Sequence, residues 1–457
     1  MESKRFTVMG AGEVGRLLAK RLSAEGHRVT VIDNDPAKRQ VVEEQLDVAF
    51  VQGNGAELPT LKAAEVASCD LFVASSSSDQ ANLAASLLAK GLGAPRTVVR
   101  VRSSEGVTRY GRTYERTFQA DLLLSTQLLV TTRILNTVLG YNTLDIEYLA
   151  GGALQVRRTR VEPGSLLHQR RLADVDLPRD SLVLAYISDG KLVVPTGDDR
   201  AKPGDDALVL ATRETIGEVE RRISGHARKL GVLVIAGGGA TAQAIAAELE
   251  PQARTIKIIE VDRTRAEALA ARFPNYDIIH GDATDMSVLA AEDAGRAKTF
   301  VALTGNDETN LMACLLAQEL GAKKITALVQ KSDTSNLWRK VGLLDVVSPR
   351  MLAAERIQHY IDTNYEPHIV SIENGAASVI SRVIAPQSPA AGGRLADIEI
   401  PQGLVIAAIL RGGRTIVPRG QSQLEVGDEV ILFVRAEEIG TAHLLFPGRD
   451  EDGSTLR

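Results

Sequence analysis

The stretch 6-FTVMGAGEVG-15, followed by a helical pattern and then 27-HRVTVIDND-35, decides how this chain is read. An apolar strand runs into Gly10, Gly12 and Gly15 at GxGxxG spacing. A second apolar strand ends at Asp33, 18 residues after Gly15. Each position has a chemical task in a dinucleotide-binding fold. Gly10 permits the tight turn, Gly12 lets the backbone approach a pyrophosphate, and Gly15 lets the helix pack on the strand. The helix N-terminus offers unpaired N–H groups to phosphates. Asp33 sits where a carboxylate accepts hydrogen bonds from a ribose diol, so a ribose carrying a 2′-phosphate is expected to bind poorly. A glycine triad alone is weak evidence; with the strand, helix and acid in order, a nucleotide site is expected in preference to a chance Gly-rich turn.

The stretch occurs twice. VLVIAGGGATA places Gly237 and Gly239 at the same spacing, with Ala242 in the third slot, and IKIIE ends a strand at Glu260. Gly10 and Gly237, like Asp33 and Glu260, are 227 residues apart. QGNGA at 52–56 answers HGDAT at 280–284, and ASSSSDQANL at 74–83 answers ALTGNDETNL at 302–311. The chain therefore contains a duplicated domain.

Composition bounds the class. A chain of 457 residues has room for about three domains on the usual length prior. Its 44% apolar and 24% charged residues are ordinary for a globular protein. No apolar run reaches the ~18 residues of a membrane span, and MESKRF leads into a strand with no space for a signal peptide. Cys69 and Cys314 stand one in each half, which fits a reducing cytoplasm better than a disulfide framework. Residues 1–228 hold 30 Lys and Arg against 29 Asp and Glu, and the remainder 23 against 29. Neither half has the basic excess of a nucleic-acid binder, and 4% aromatic residues are too few for a base-stacking surface. A site in the first half should suit an anion better than one in the second.

After Asp33, Asp35-Pro36 reads as a helix cap followed by proline at the first helical position. Strands near 48–53, 70–75 and 96–102 alternate with helical segments near 57–67 and 79–92. That alternation predicts a parallel sheet wound on both faces, with ligands at the carboxyl ends of its strands where the winding reverses. The rule gathers Gly10 to Gly15, Asp33, Gly53-Asn54, Ser75 to Ser78, Arg100 and Arg102 at one edge. Arg100 and Arg102 share a strand face; they are either phosphate contacts, which guanidinium forks suit, or a solvated edge. The second half has Leu328 and Gln330 in their places, so the two pockets are not equivalent. Ser75 to Ser78 either cap the following helix or touch a ligand. LLLSTQLLVTTRILNTVLG (122–140) and its partner VVSPRMLAAERIQHYI (346–361) read as helices apolar nearly all round. They belong either to a subunit or domain interface or to a plain core.

Residues 143–223 and 366–446 contain a second repeat, of strand-rich character. LADVDLP (172–178) matches LADIEIP (395–401), and Gly204 matches Gly427, each pair 223 apart. Short alternating strands with Pro-Gly and Gly-Asp turns predict a small α+β module. No HExxH and no Cys/His pair at metal spacing occurs. The groups Arg157-Arg158-Arg160 and Arg170-Arg171 read either as an anion or acidic-partner site or as a solvated strand face. SGHARKLG (224–231) reads as a linker, and PGRDEDGSTLR at the end as a frayed tail.

The order nucleotide fold, small module, nucleotide fold, small module resembles the TrkA family of Trk potassium-uptake regulatory subunits, whose chains hold two tandem RCK/KTN domains. The resemblance covers essentially the whole chain. It is carried by GAGEVG with VIDND, DxxNL at 79–83 and 307–311, RVR at 100–102, and LADVDLP/LADIEIP. It implies two Rossmann-like, doubly wound parallel sheet domains at 1–142 and 227–365, each followed by a small α+β module, at 143–226 and 366–457. It also implies a cytosolic homotetramer, peripheral on the inner face of the membrane, beneath a TrkH/TrkG-type potassium channel subunit. NAD(H) and ATP/ADP are the implied ligands. Their implied contacts are Gly10, Ala11, Gly12, Glu13, Val14, Asp33, Ser76, Ser77 and Arg100, and in the second half Gly237, Gly238, Gly239, Ala240, Thr241 and Glu260. Ala242, Leu328 and Gln330 depart from the first half and weigh against tight triphosphate binding in the second.

Three function classes then compete, one of them a scaffold with degenerate sites. A ligand sensor works if nucleotide binds two arrangements of the molecule with different affinity. An NAD-dependent oxidoreductase needs an acid/base group beside the nicotinamide, and the modules offer none with a recognisable constellation. No catalytic residue, metal or nucleic-acid partner is expected.

Overall fold

The computed structural model describes residues 3–139, 146–149, 154–212, 214–224, 231–249, 256–331, 338, 342, 345–362, 370–372, 375–412 and 414–447. The boundaries at 142/143, 226/227 and 365/366, the interior of the 224–231 linker and nearly all of the tail lie outside the described residues.

The first half begins with strands β1 (Arg5–Met9), β2 (Arg28–Asp33), β3 (Ala49–Gln52), β4 (Leu71–Ala74), β5 (Thr97–Val101) and β6 (Leu122–Ser125). Helices α1 (Glu13–Ala24), α2 (Pro36–Gln45), α3 (Leu58–Ala63), α4 (Asp79–Gly91) and α5 (Glu105–Phe118) alternate with them, and α6 (Thr126–Leu139) follows. The strands pair in parallel in the order β3-β2-β1-β4-β5-β6. All four residues of β4 are buried, as expected for a parallel sheet covered on both faces. The winding reverses between β1 and β4, which opens a crevice at their carboxyl ends.

A small module follows: β7 (Ile146–Leu149), β8 (Leu154–Arg160), β9 (Ser181–Ser188), β10 (Lys191–Val193), β11 (Asp206–Thr212) and α7 (Ile216–Ser224). Its sheet is antiparallel, in the order β10-β9-β11-β8-β7. The second half repeats the plan. Strands β12 (Leu233–Ala236), β13 (Ile256–Glu260), β14 (Asp277–His280), β15 (Thr299–Ala302), β16 (Ile325–Leu328) and β17 (Asp345–Val347) form another parallel sheet, ordered β14-β13-β12-β15-β16-β17. Its helices are α8 (Ala240–Leu249), α9 (Arg263–Arg272), α10 (Met286–Ala291), α11 (Asp307–Glu319) and α12 (Pro349–Asp362). The last module holds β18 (Val370–Ile372), β19 (Ala377–Val383), β20 (Leu404–Arg411), β21 (Arg414–Ile416), β22 (Glu429–Arg435) and α13 (Ile439–Leu445).

Each parallel sheet has one strand more than the sequence pattern showed. Leu122–Ser125 is β6, and α6 starts only at Thr126. A short apolar run has no period that separates strand from buried helix. Here the Asp121 carboxylate accepts from the Thr97 N–H at 2.6 Å, holding the run against β5. The Ser125 hydroxyl accepts from the Leu128 N–H at 3.2 Å and starts the helix. β17 and α12 repeat the arrangement, with Ser348 accepting from the Met351 N–H. Helix α5, unassigned from sequence, also lies in this stretch.

Packing sorts the chain into two compact units. Met1–Ser104, Phe118–Thr143 and Arg228–Gln358 form the first, with both parallel sheets. Glu105–Thr117, Leu144–Ala227 and His359–Arg457 form the second, with both antiparallel sheets. Within the first unit, α6 packs on α8, so the apolar helix serves an interface between the repeats. Lys324 Nζ donates to the Thr137 carbonyl at 2.8 Å, Thr137 Oγ1 to Asp345 at 3.1 Å, and Gln358 to Glu25 at 3.3 Å. Within the second unit, Leu154, Leu184 and Leu210 share one apolar core with Val379, Leu410 and Phe433. Of the arginines of β8, Arg157 is internal, Arg158 is partly buried and Arg160 is exposed, and each is held by an acid. Arg157, only 4% exposed, pairs with Glu220 at 2.9 Å and donates to Gln155, while Arg158 and Arg160 both pair with Asp206.

Candidate functional site

The β1–α1 loop is built as its glycines require. Gly10 has φ of +102°, and a Cβ on it would lie 2.8 Å from the Ser76 nitrogen, so the loop rests directly on the β4–α4 turn. Gly12 is the extended N-cap of α1 and supplies no side-chain cap, which leaves the helix N-terminus open to an anion. Gly15 lies on the first turn of α1, where a Cβ would stand 1.9 Å from the Gly10 carbonyl oxygen. The second repeat has the fully buried Ala242 at the corresponding point. Gly15→Ala is therefore expected to push α1 outward and destabilise the first repeat by about 1–3 kcal/mol, measured by denaturant unfolding.

Asp33, at the carboxyl end of β2, is 7% exposed. Its carboxylate accepts from the Ala11 N–H at 2.7 Å and the Asp35 N–H at 2.9 Å, and it meets Lys38 Nζ at 3.0 Å. Burial pushes its pKa up, but the Asp35 N–H, Lys38 and the Ala11 N–H together outweigh burial and hold it below the usual carboxylate range. Asp33 thus ties the glycine loop to the sheet. Glu260 does the same in the second repeat, accepting from the Gly238 and Asp262 N–H groups at 2.7 and 2.8 Å and pairing with Arg265.

On the other side of the crevice, the four serines divide their work. Ser78 caps α4 by accepting from the Ala81 N–H, and Ser75 Oγ donates to the Met9 carbonyl. Ser76 is held by Asn82, whose Oδ1 accepts from Ser76 N–H and Oγ at 2.9 and 2.6 Å. The Asn82 Nδ2 donates to the carbonyls of Ser76 and Arg100 at 3.1 and 2.8 Å. Ser77 is exposed. Arg100 donates to the Ser75 carbonyl at 3.4 Å, while its Nε is buried without a hydrogen-bond partner. Burial lowers the Arg100 pKa from its ordinary value; Asp79 opposes that shift, and nearby Arg102 and Arg350 add to it. Arg102 is largely exposed and lies 3.5 Å from Asp79.

Gly10, Ala11, Gly12, Glu13, Val14, Asp33, Ser76, Ser77 and Arg100 all line one cleft of about 1020 Å³. Lys38, Asp79 and Arg102 line it too, whereas Gly53 and Asn54 do not. The second half reaches the same cleft through Ala240, Thr241, Leu328, Gln330, Pro349 and Arg350. Of the second-half candidates, Gly237, Gly238, Gly239 and Glu260 do not line it. Gly238 is instead crowded: a Cβ there would stand 2.3 Å from Leu269 Cδ1.

Sequence reasoning missed Asn82, Lys38 and Arg350. Asn82 was legible in principle, because DxxNL recurs with Asn310, which holds Thr304 and the Leu328 carbonyl in the same way. Arg350 had no local signal; it reaches the first repeat only through folding. Among the described residues, no group of three or more His, Cys, Asp or Glu is placed to hold a metal ion, and no helix is long and apolar enough to cross a membrane.

Family models support the same organisation. The TrkA-N domain matches residues 6–119 and 233–349, and the TrkA-C domain matches 156–224 and 379–446. The chain is 29% identical over 442 residues to the Trk system potassium uptake protein TrkA homolog of Archaeoglobus fulgidus, covering 97% of this chain and 100% of that one. It is 29% identical over 443 residues to the Trk system potassium uptake protein TrkA of Haemophilus influenzae, covering 94% and 95%. Among solved structures, the GsuK RCK domain superposes with a TM-score of 0.54 at 19% identity, covering 96% of this chain and 94% of that one. A GsuK channel bound to NAD superposes equally well at 20% identity, covering 96% and 78%; the likeness to both is one of fold.

Proposed function

Since the chain belongs to the TrkA family, with TrkA-N and TrkA-C domains in tandem, we propose that it is the nucleotide-sensing regulatory subunit of a potassium uptake system. Its ligands are NAD(H) and ATP/ADP, and the domain limits are those read from sequence. The chain acts as a homotetramer on the inner face of the membrane, against a TrkH/TrkG-type channel subunit. Nucleotide binding shifts the packing of the repeats, and no bond in the ligand is broken. The ligand can do this only through different affinities for the two packings.

The observation that carries this reading is the cleft at the winding reversal of the first sheet. An open helix N-terminus, a carboxylate at the ribose position and a half-buried guanidinium with an unused Nε converge on it. In the second repeat Gly237, Gly238, Gly239, Ala240, Thr241 and Glu260 form the corresponding, less cationic site. The NAD in the GsuK channel of the same fold is consistent with a dinucleotide at such a site.

Arg100 supplies the test. If it meets phosphate, Arg100→Ala should weaken ATP by roughly 10-fold or more, the loss of a charge-assisted hydrogen bond, and leave adenosine almost unaffected. Isothermal calorimetry with both ligands checks this, and equal losses would count against phosphate contact.

A further inference from the structure

The two repeats line the cleft with unlike residues, charged in one set and neutral in the other. Arg350, second residue of α12, forms an ion pair with Glu13, first residue of α1, and so links the second repeat to the lip of the first repeat's glycine loop. Gln127, second residue of α6, corresponds to Arg350 at the 223-residue offset, and Ala240, first residue of α8, corresponds to Glu13 at the 227-residue offset. Both line the same cleft. The cleft thus carries Arg100, Arg102, Arg350 and Glu13, and the repeat-related positions that also line it are Leu328, Gln330, Gln127 and Ala240.

As a fastening, the Glu13–Arg350 pair has little to offer. Its side chains are 23% and 35% exposed, and pairs this open to water contribute little to stability. Its position is more informative. Glu13 lies in the first turn of α1, so its carboxylate is the negative charge at the helix N-terminus where such loops hold phosphate. The carboxylate neutralises the Arg350 guanidinium at the place where a phosphate would otherwise do so.

We propose that Arg350 is a ligand-binding residue of the first repeat's site, supplied by the second repeat, which exchanges Glu13 for the terminal phosphate of a nucleoside di- or triphosphate. This inference rests on the nucleotide reading above and adds which ligand the site prefers. A mononucleotide ends at the glycine loop. In a dinucleotide the pyrophosphate is flanked by two riboses and carries no terminal phosphate. Only a free β- or γ-phosphate brings extra negative charge into the part of the cleft where Arg100, Arg102 and Arg350 stand. Because Arg350 belongs to the other repeat, that phosphate also joins the repeats, and this gives ATP a different affinity for the two packings than AMP has.

The test is calorimetry of ATP, AMP and NAD on the full-length chain and on two variants. Arg350→Gln, which places at 350 the residue found at 127, is expected to weaken ATP about tenfold, the usual scale of a charge-assisted contact, and to leave AMP and NAD unchanged. Glu13→Gln, which removes the competing carboxylate, is expected to tighten ATP and not AMP. Opposite signs from the two variants exclude a general loss of folding. Equal effects on ATP and AMP, or ATP affinity indifferent to Arg350→Gln, overturn the proposal while leaving nucleotide binding intact. Failure of the native chain to bind any of the three overturns the nucleotide reading and this inference with it.

Discussion

Glu220→Ala is expected to cost about 3–5 kcal/mol of folding stability, the usual scale when one partner of a buried ion pair is deleted. Arg157 and Glu220 are 4% and 5% exposed, and they meet at 2.9 Å between β8 and α7. Removing the carboxylate takes the Glu220 counter-charge from a guanidinium in the core that also donates to the Gln155 side chain. The second module shows what the site looks like without the pair. Its corresponding residues are Ile380, 1% exposed, and His443, which faces Arg382 at 3.0 Å. Adding Arg157→Ile to Glu220→Ala should therefore recover most of the loss, since an apolar side chain of this size already packs there in the sister module. Urea unfolding of the single and double variants gives the comparison; a double variant no more stable than the single would show that the first module depends on the pair itself.

Asp33→Ala should produce two separable losses. The Ala11 N–H, whose bond to Asp33 is buried, loses its acceptor, an expected cost of about 1–3 kcal/mol. Ribose-bearing ligands should also bind more weakly, because the glycine loop is no longer held and the diol acceptor is gone. The pH dependence identifies the carboxylate. Its folded pKa lies below the ordinary value of 3.8, so its contribution is present above about pH 4 and is lost as pH falls through the folded pKa. The variant should accordingly lose less stability than the native chain on acidification below pH 4. Chemical denaturation across that range, with calorimetry of NADH and ATP at neutral pH, reads both effects. Unchanged affinity for both ligands would remove the carboxylate from the site.

The parts of the fold that depend on neighbours in sequence were legible. The two glycine loops, the acids 18 residues beyond Gly15 and Ala242, and the Asp35-Pro36 helix start are local instructions, and the structure follows them. The duplication was legible because equal offsets link residues of matching chemistry. What could not be read was set by tertiary contact. Leu122–Ser125 is a strand because Asp121 and β5 hold it there. Arg157 is internal because Glu220 comes from a helix 63 residues away. Lys38 and Arg350 join the cleft from elements whose sequences carry no mark of it.

The distribution of the halves over the two units has a further consequence. Each half contributes one sheet to each unit, and the small modules share a single apolar core. A nick in the polypeptide between the repeats would therefore leave two fragments still clasped at two places. Separating them would expose the face of α6 that lies on α8 and would split the shared core in the same event. The gene duplication behind this chain thus yielded partners that cannot be dealt apart as independent modules.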